Sequence, residues 1–95
     1  MGAGLRERAL WDNCLGTAVR RSPDVDLRFL ADSFELAGGS IRSSAVTAAY
    51  LAAADSGVIG MRHLVGAVHR EYRKLGRLCR ESEFGPYWSL IRESV

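Results

Sequence analysis

The chain is 95 residues long, 47% apolar and 25% charged, with a formal net charge of +2. That length allows one small domain with a single core, or a piece of a larger protein, and the composition excludes a disordered chain. So small a net charge does not by itself argue for nucleic acid.

The start, Met1-Gly2-Ala3-Gly4-Leu5-Arg6, lacks the long apolar run of a signal peptide, and Arg6 stands where a myristoylation signal has Ser or Thr. The first predicted helix covers Leu5 to Leu15. Leu5, Ala9, Leu10 and Cys14 share one face, and the helix ends towards Gly16. Arg20-Arg21-Ser22-Pro23 is a polar break, its proline biasing Ser22 away from helix. Either Asp24 or Asp26 suits the N-cap of a second helix, where Leu27, Leu30, Ala31 and Phe34 form an i, i+3, i+4, i+7 stripe. Gly38 and Gly39 are expected to stop it, one of them in the left-handed conformation.

Ser40 is expected to cap a third helix running to about Ala54. Its alanines allow close helix approach while Ile41, Val46, Tyr50 and Leu51 fill volume. The apolar run from Ala45 to Ala54 is too short to span a bilayer. Asp55-Ser56-Gly57 ends this helix and Val58-Ile59 is a short extended link. The fourth helix has the strongest amphipathic pattern, with Met61, Leu64, Val65, Val68, Tyr72 and Leu75 on one face. After Gly76 the pattern weakens into an aromatic-rich tail, Phe84-Gly85-Pro86-Tyr87-Trp88, then Leu90 and Ile91. The fold class is all-α, a small four-helix bundle over residues 1–78 with a tail over 79–95 that packs on the bundle or on a partner.

Arg42 is the residue to explain. A helix start leaves backbone N–H groups unpaired at the positive end of the dipole, where acidic residues are favoured. An arginine there, behind a two-glycine elbow and a capping serine, fits a site that expects an anion. The bland alternative is an exposed arginine paired with Asp24, Asp26 or Glu35. Catalytic motifs are missing. There is no Gly-x-x-x-x-Gly-Lys-[Ser/Thr] phosphate loop, no Gly-x-Ser-x-Gly elbow and no His-Glu-x-x-His zinc site. His63 and His69 fall on different faces of one helix, each read as a solvated or boundary histidine and neither as a metal ligand. Cys14 and Cys79 read as free thiols of a reducing cytosol. The basic run from Arg70 to Arg80 reads as a solvated helix face, and Trp11, Tyr72, Phe84, Tyr87 and Trp88 as core and tail-docking residues.

Three stretches carry a resemblance as a set. They are Asp24-Val25-Asp26-Leu27-Arg28-Phe29-Leu30-Ala31, then Phe34-Glu35-Leu36-Ala37-Gly38-Gly39-Ser40-Ile41-Arg42, then Ala48-Ala49-Tyr50-Leu51-Ala52-Ala53-Ala54. With Arg6-Glu7-Arg8-Ala9-Leu10-Trp11 before them and Val58-Ile59-Gly60-Met61-Arg62-His63-Leu64 after, they resemble the C-terminal lid of AAA+ ATPases. Arg70-Glu71-Tyr72-Arg73-Lys74-Leu75-Gly76-Arg77-Leu78 and Phe84-Gly85-Pro86-Tyr87 are similar to the bacterial members associated with phage-tail-like contractile injection systems.

The resemblance implies that Arg42 matches the sensor-2 arginine, which reaches from lid to nucleotide phosphates. It also implies that Gly39, Ser40 and Ile41 flank the adenosine side of the same cleft. The cofactor implied is ATP, with Mg2+ held by a missing αβ nucleotide-binding domain. The partners implied are that domain and neighbouring ring subunits, in the cytoplasm and without a membrane. No residue is expected to be catalytic in isolation. Two rivals stand beside it. The second and third helices have helix-turn-helix proportions for DNA, although the supposed reading helix is mostly alanine. The aromatic tail would suit a stand-alone protein-interaction adaptor.

Overall fold

The computed structural model describes residues 3–94, with side chains over 4–91. The Met1-Gly2 start read for lipidation lies outside the described residues, as does the final residue of the tail. Helices dominate, in the order α1 (Ala3–Leu15), α2 (Leu27–Ser33), α3 (Gly38–Ala53), α4 (Met61–Lys74), α5 (Glu81–Phe84) and α6 (Trp88–Ser94), with a 3-10 turn at Gly85–Tyr87. Among the described residues, no helix is long and apolar enough to cross a membrane.

The inner face of α1 is carried by Trp11 and Leu15, with Leu10 and Cys14 half-buried. Leu5 and Ala9, expected on that face, are exposed, because seating the large Trp11 indole rolls the helix away from them. Gly16 closes α1 in the left-handed region with φ 65°. The Arg21 guanidinium then holds the exposed last turn, donating to the carbonyls of Asp12 (3.2 Å) and Gly16 (2.8 Å) and pairing with the Asp12 carboxylate at 2.7 Å.

The polar break contains a feature the sequence reading lacked. Arg20–Arg21 forms a two-residue strand, β1, parallel to β2 at Val58–Ile59, with Arg20 opposite Val58 and Arg21 opposite Ile59. Ser22 N–H extends the pairing to the Ile59 carbonyl at 2.7 Å. The expected extended link at Val58–Ile59 is therefore one half of a ladder.

Asp26 is the N-cap of α2, its carboxylate accepting from Phe29 N–H at 3.0 Å. The helix ends at Ser33, before the expected Gly38-Gly39 stop. Phe34 is extended (φ −121°, ψ 126°), and residues 34–37 alternate buried, exposed, buried, exposed. Phe34 and Leu36 both enter the core this way; in a helix they would point about 200° apart. Neither Gly38 nor Gly39 is left-handed. They are the first two residues of α3, preceded by an N-cap at Ala37 (φ −69°, ψ 160°). Ser40 is therefore not the cap, and Arg42 sits in the second turn rather than the first.

Ile41, Ala45, Ala48 and Ala52 form the buried face of α3. Val46 (65% exposed) and Tyr50 (72% exposed), expected to fill volume, lie on its outer side. Met61, Leu64, Val65, Val68 and Tyr72 of α4 are fully buried, as the periodicity predicts, whereas Leu75 is exposed just beyond the helix end. The tail folds back on the helices. Phe84 is fully buried, its ring 4.8 Å from Phe34, 6.2 Å from Tyr72 and 5.9 Å from Trp88, and Ile91 is buried beside it. Edge-on contacts from Phe29 to Phe34 and Tyr87 extend this aromatic cluster under α2.

Candidate functional site

The segment leading into α3 is anchored on both sides. Phe34 and Leu36 are seated in the core, and Arg77 donates to the Glu35 carbonyl at 2.6 Å while its guanidinium lies 4.3 Å from the Tyr72 ring centre. The Tyr72 hydroxyl is buried near the Glu35 backbone without reaching hydrogen-bond geometry, and burial pushes that phenol up. Gly38 packs against α1, where an added Cβ would stand 3.4 Å from a Leu10 methyl. Gly39 faces open space.

Ser40 and Ile41 N–H groups both reach the Ala37 carbonyl at 3.0 Å. Gly38 and Gly39 N–H, two residues earlier, have no intrahelical acceptor. Ala37 supplies no side-chain cap, and the first turn holds no acidic residue. The other two long-range starts are treated differently. Asp26 caps α2. For α4, Asp24 accepts from Met61 N–H at 3.1 Å and His63 Nδ1 accepts from Gly60 N–H at 2.9 Å. Of these three helix starts, that of α3 has no side-chain cap.

The Arg42 side chain is exposed and, among the described residues, makes no ion pair or hydrogen bond. The partners of its bland reading are elsewhere. Asp24 caps Met61, Asp26 caps Phe29, and no ion pair joins Glu35 to Arg42. Gly39 is exposed beside it. Ile41, by contrast, is 1% exposed and belongs to the core, so it does not share a surface with them. Ser40 is half-buried and turned to α4. Of the four residues expected at the nucleotide, the structure brings Gly39 and Arg42 to one open surface and places Ser40 and Ile41 behind it.

Close to Ser40 lies Glu71, within the Arg70 to Arg80 run expected to be a solvated helix face. Glu71 is buried at 6% exposure, shielded by immediate neighbours close to the bundle surface. Burial alone would raise its carboxyl. Hydrogen bonding to Ser43, Lys74 and Ser40, with the Lys74 charge, outweighs that and holds it below its ordinary value. Lys74 pairs with Glu71 at 3.2 Å and donates to the Ser43 hydroxyl at 3.2 Å. A signal was present in the sequence, since Glu71 follows Leu64 by seven residues and Val68 by three, on the rim of the core stripe.

His63 is also corrected. It is buried, not solvated, bridging Gly60 N–H through Nδ1 and Asp55 through Nε2 at 3.0 Å. The Gly60 donor fixes Nδ1 as acceptor, so Nε2 carries the proton to Asp55. His63 and then Arg62 hold the Asp55 carboxyl below its usual value. His69 is a boundary residue edge-on to Phe84, its imidazole pushed down by burial and then by Arg73 and Arg70. No cluster among the described residues could hold a metal ion. Of the basic run, Arg70, Arg73 and Arg80 are exposed, while Lys74 and Arg77 are the structural contacts described above. Cys14 and Cys79 are both free.

A depression of about 490 Å³ lies between α1 and the entry to α2, walled by Arg8, Asp12, Asp26 and Arg28. It is open, and none of its lining comes from α3. Compared with known proteins, the chain matches no family model, and no curated protein or solved structure matches it significantly.

Proposed function

We propose that this chain is the lid subdomain of an AAA+ ATPase, a four-helix unit with a docked tail. It supplies Arg42 to an ATP site completed by a separate αβ domain, which also holds Mg2+. The observation that carries the reading is the contrast between helix starts. The starts of α2 and α4 are neutralised by aspartates, whereas α3 begins bare at Gly38-Gly39 with the unpaired Arg42 one turn on.

Positive dipole ends and guanidinium groups both favour phosphate, and Arg can grip two phosphate oxygens at once. Aimed at charge developing on the transferred phosphoryl group, Arg42 lowers the barrier electrostatically and ties hydrolysis to lid movement. Gly39 leaves the approach open. Ser40 and Ile41 support the surface from behind. The exposed Val46 and Tyr50 on the same helix suit contact with the αβ domain or a neighbouring ring subunit in the cytoplasm. The DNA-reading alternative is weakened by the same helix, since Ser44 is buried and Ser43 is tied to Lys74.

In the complete ATPase, Arg42→Ala lowers turnover about 10²-fold, the loss typical of one transition-state donor. Arg42→Lys recovers little of it, because a point charge cannot reproduce the fork. Normal hydrolysis by the Arg42→Ala ring refutes the reading, as does ATP turnover by this chain alone.

A further inference from the structure

Glu71 is the single buried acid among the described residues, and it is spent on one helix of the bundle. Lys74 bonds both the Glu71 carboxylate and the Ser43 hydroxyl, each at 3.2 Å, and on α3 this pair faces one side carrying Ser40 and Ser43. These are the two residues either side of Ile41-Arg42.

The rest of the buried face of α3 explains why such a clamp is needed. Beyond Ile41 it consists of Ala45, Ala48 and Ala52, with the small Ser44. Small side chains permit close approach but form a smooth surface that resists rolling about the helix axis weakly. A lysine held on a buried carboxylate and bonded to Ser43 supplies the angular restraint that shape does not. The lever is sensitive. A roll of about 10° moves a group roughly 6 Å from the axis by about 1 Å. A misplacement of about 1 Å remote from the chemistry can slow a reaction about 10²-fold.

We propose that Glu71 is a positioning residue for Arg42. Through Lys74 and Ser43 it sets the roll of the first turns of α3, and thereby the direction in which the guanidinium is presented. This rests on the phosphate-sensing reading of Arg42. Glu71 touches no nucleotide in this scheme and acts only through the helix.

The test uses the complete ATPase, with steady-state kinetics and amide hydrogen exchange on the same variants. Glu71→Ala is expected to lower kcat roughly tenfold with little change in the KM for ATP. Glu71→Gln keeps a carbonyl acceptor for Lys74 and should restore most of the rate. The Arg42→Ala, Glu71→Ala double variant should be no slower than Arg42→Ala alone, since a misaimed arginine and an absent one forfeit the same interaction. Exchange at the amides of residues 40–44 should accelerate about tenfold in Glu71→Ala and stay near wild type in Glu71→Gln. Losses that multiply in the double variant, or a silent Glu71→Ala, overturn the positioning role while leaving Arg42 in place. A silent Arg42→Ala removes both, and faster exchange in Glu71→Ala then identifies the clamp as purely structural.

Discussion

Asp24 and Asp26, two residues apart, cap different helices: Asp26 accepts from Phe29 in its own helix, and Asp24 accepts from Met61, 37 residues further along. The first bond is local and the second holds the break before α2 against the start of α4. Each carboxylate removes an orphan donor and answers a positive dipole end. Asp24→Ala and Asp26→Ala should each destabilise the chain by about 1 kcal/mol, lowering Tm by about 4–8 °C. Asp24→Asn, which retains the acceptor, should lose less. Urea titrations with unchanged m-values would establish this, and a neutral Asp24→Ala would show the remote cap to be idle.

Stability should rise with pH on the acid side in two separable steps. Glu71 and Asp55 have folded values below their unfolded ones of about 4.5 and 3.8. Their contributions are therefore complete above those values and are lost as pH falls through the folded ones. His69 is also depressed from about 6.5, so the unfolded state binds more protons just below that pH and stability increases as pH approaches it. Glu71→Gln should flatten the lower step and His69→Gln the upper one in chemical denaturation at a series of pH values. An upper step unchanged in His69→Gln would contradict the assignment.

Ser44 is buried on α3 with an unpaired hydroxyl. Ser44→Ala removes a desolvated polar group and improves helix propensity, so the chain should gain about 0.5–1 kcal/mol. A loss of stability would reveal a hydrogen bond at that hydroxyl in solution.

Gly39 has no left-handed backbone and open space where a Cβ would go. Gly39→Ala should therefore stabilise by about 0.5–1 kcal/mol, chiefly through the unfolded state. Had Gly39 been the left-handed stop of α2, alanine there would instead be strained. Thermal unfolding separates the two by sign.

The tail is part of the core through one ring. Phe84→Ala should cost about 3–5 kcal/mol, a large share of the stability of so small a domain. Leu78→Ala, at a residue 73% exposed, should stay within about 0.5 kcal/mol. Equal, small effects from both would mean that the tail is not docked in solution.

The long apolar stripe of α4 was legible because Met61, Leu64, Val65, Val68 and Tyr72 repeat at the helical period and nothing competes with it. The end of α2 was not. Leu27, Leu30, Ala31 and Phe34 keep helical spacing up to the residue where the chain turns extended, and only tertiary burial of Leu36 decides the switch. Gly38-Gly39 carried a true signal of a helix boundary but on the wrong side, since glycine serves a helix start as readily as a stop when a neighbour such as Leu10 comes close. Lys74 and Asp24 act on partners 31 and 37 residues away, a separation at which local pattern is blind. Arg42 stood out as a cation in a first helical turn, but the start of α3 at Gly38 puts it in the second turn, with the nearby aspartates bonded elsewhere.

The short ladder between Arg20–Arg21 and Val58–Ile59 has a mechanical consequence. Arg21 grips the last turn of α1 with its side chain while its backbone is paired with Ile59, two residues before α4 begins. Three residues later, Asp24 holds the first N–H of α4. The connector after α1 is therefore a strut. Torque applied to α1 has a path along this connector to the base of α4, beside the direct packing of α1 on α3, and at the far end of α4 Lys74 holds Ser43 of α3.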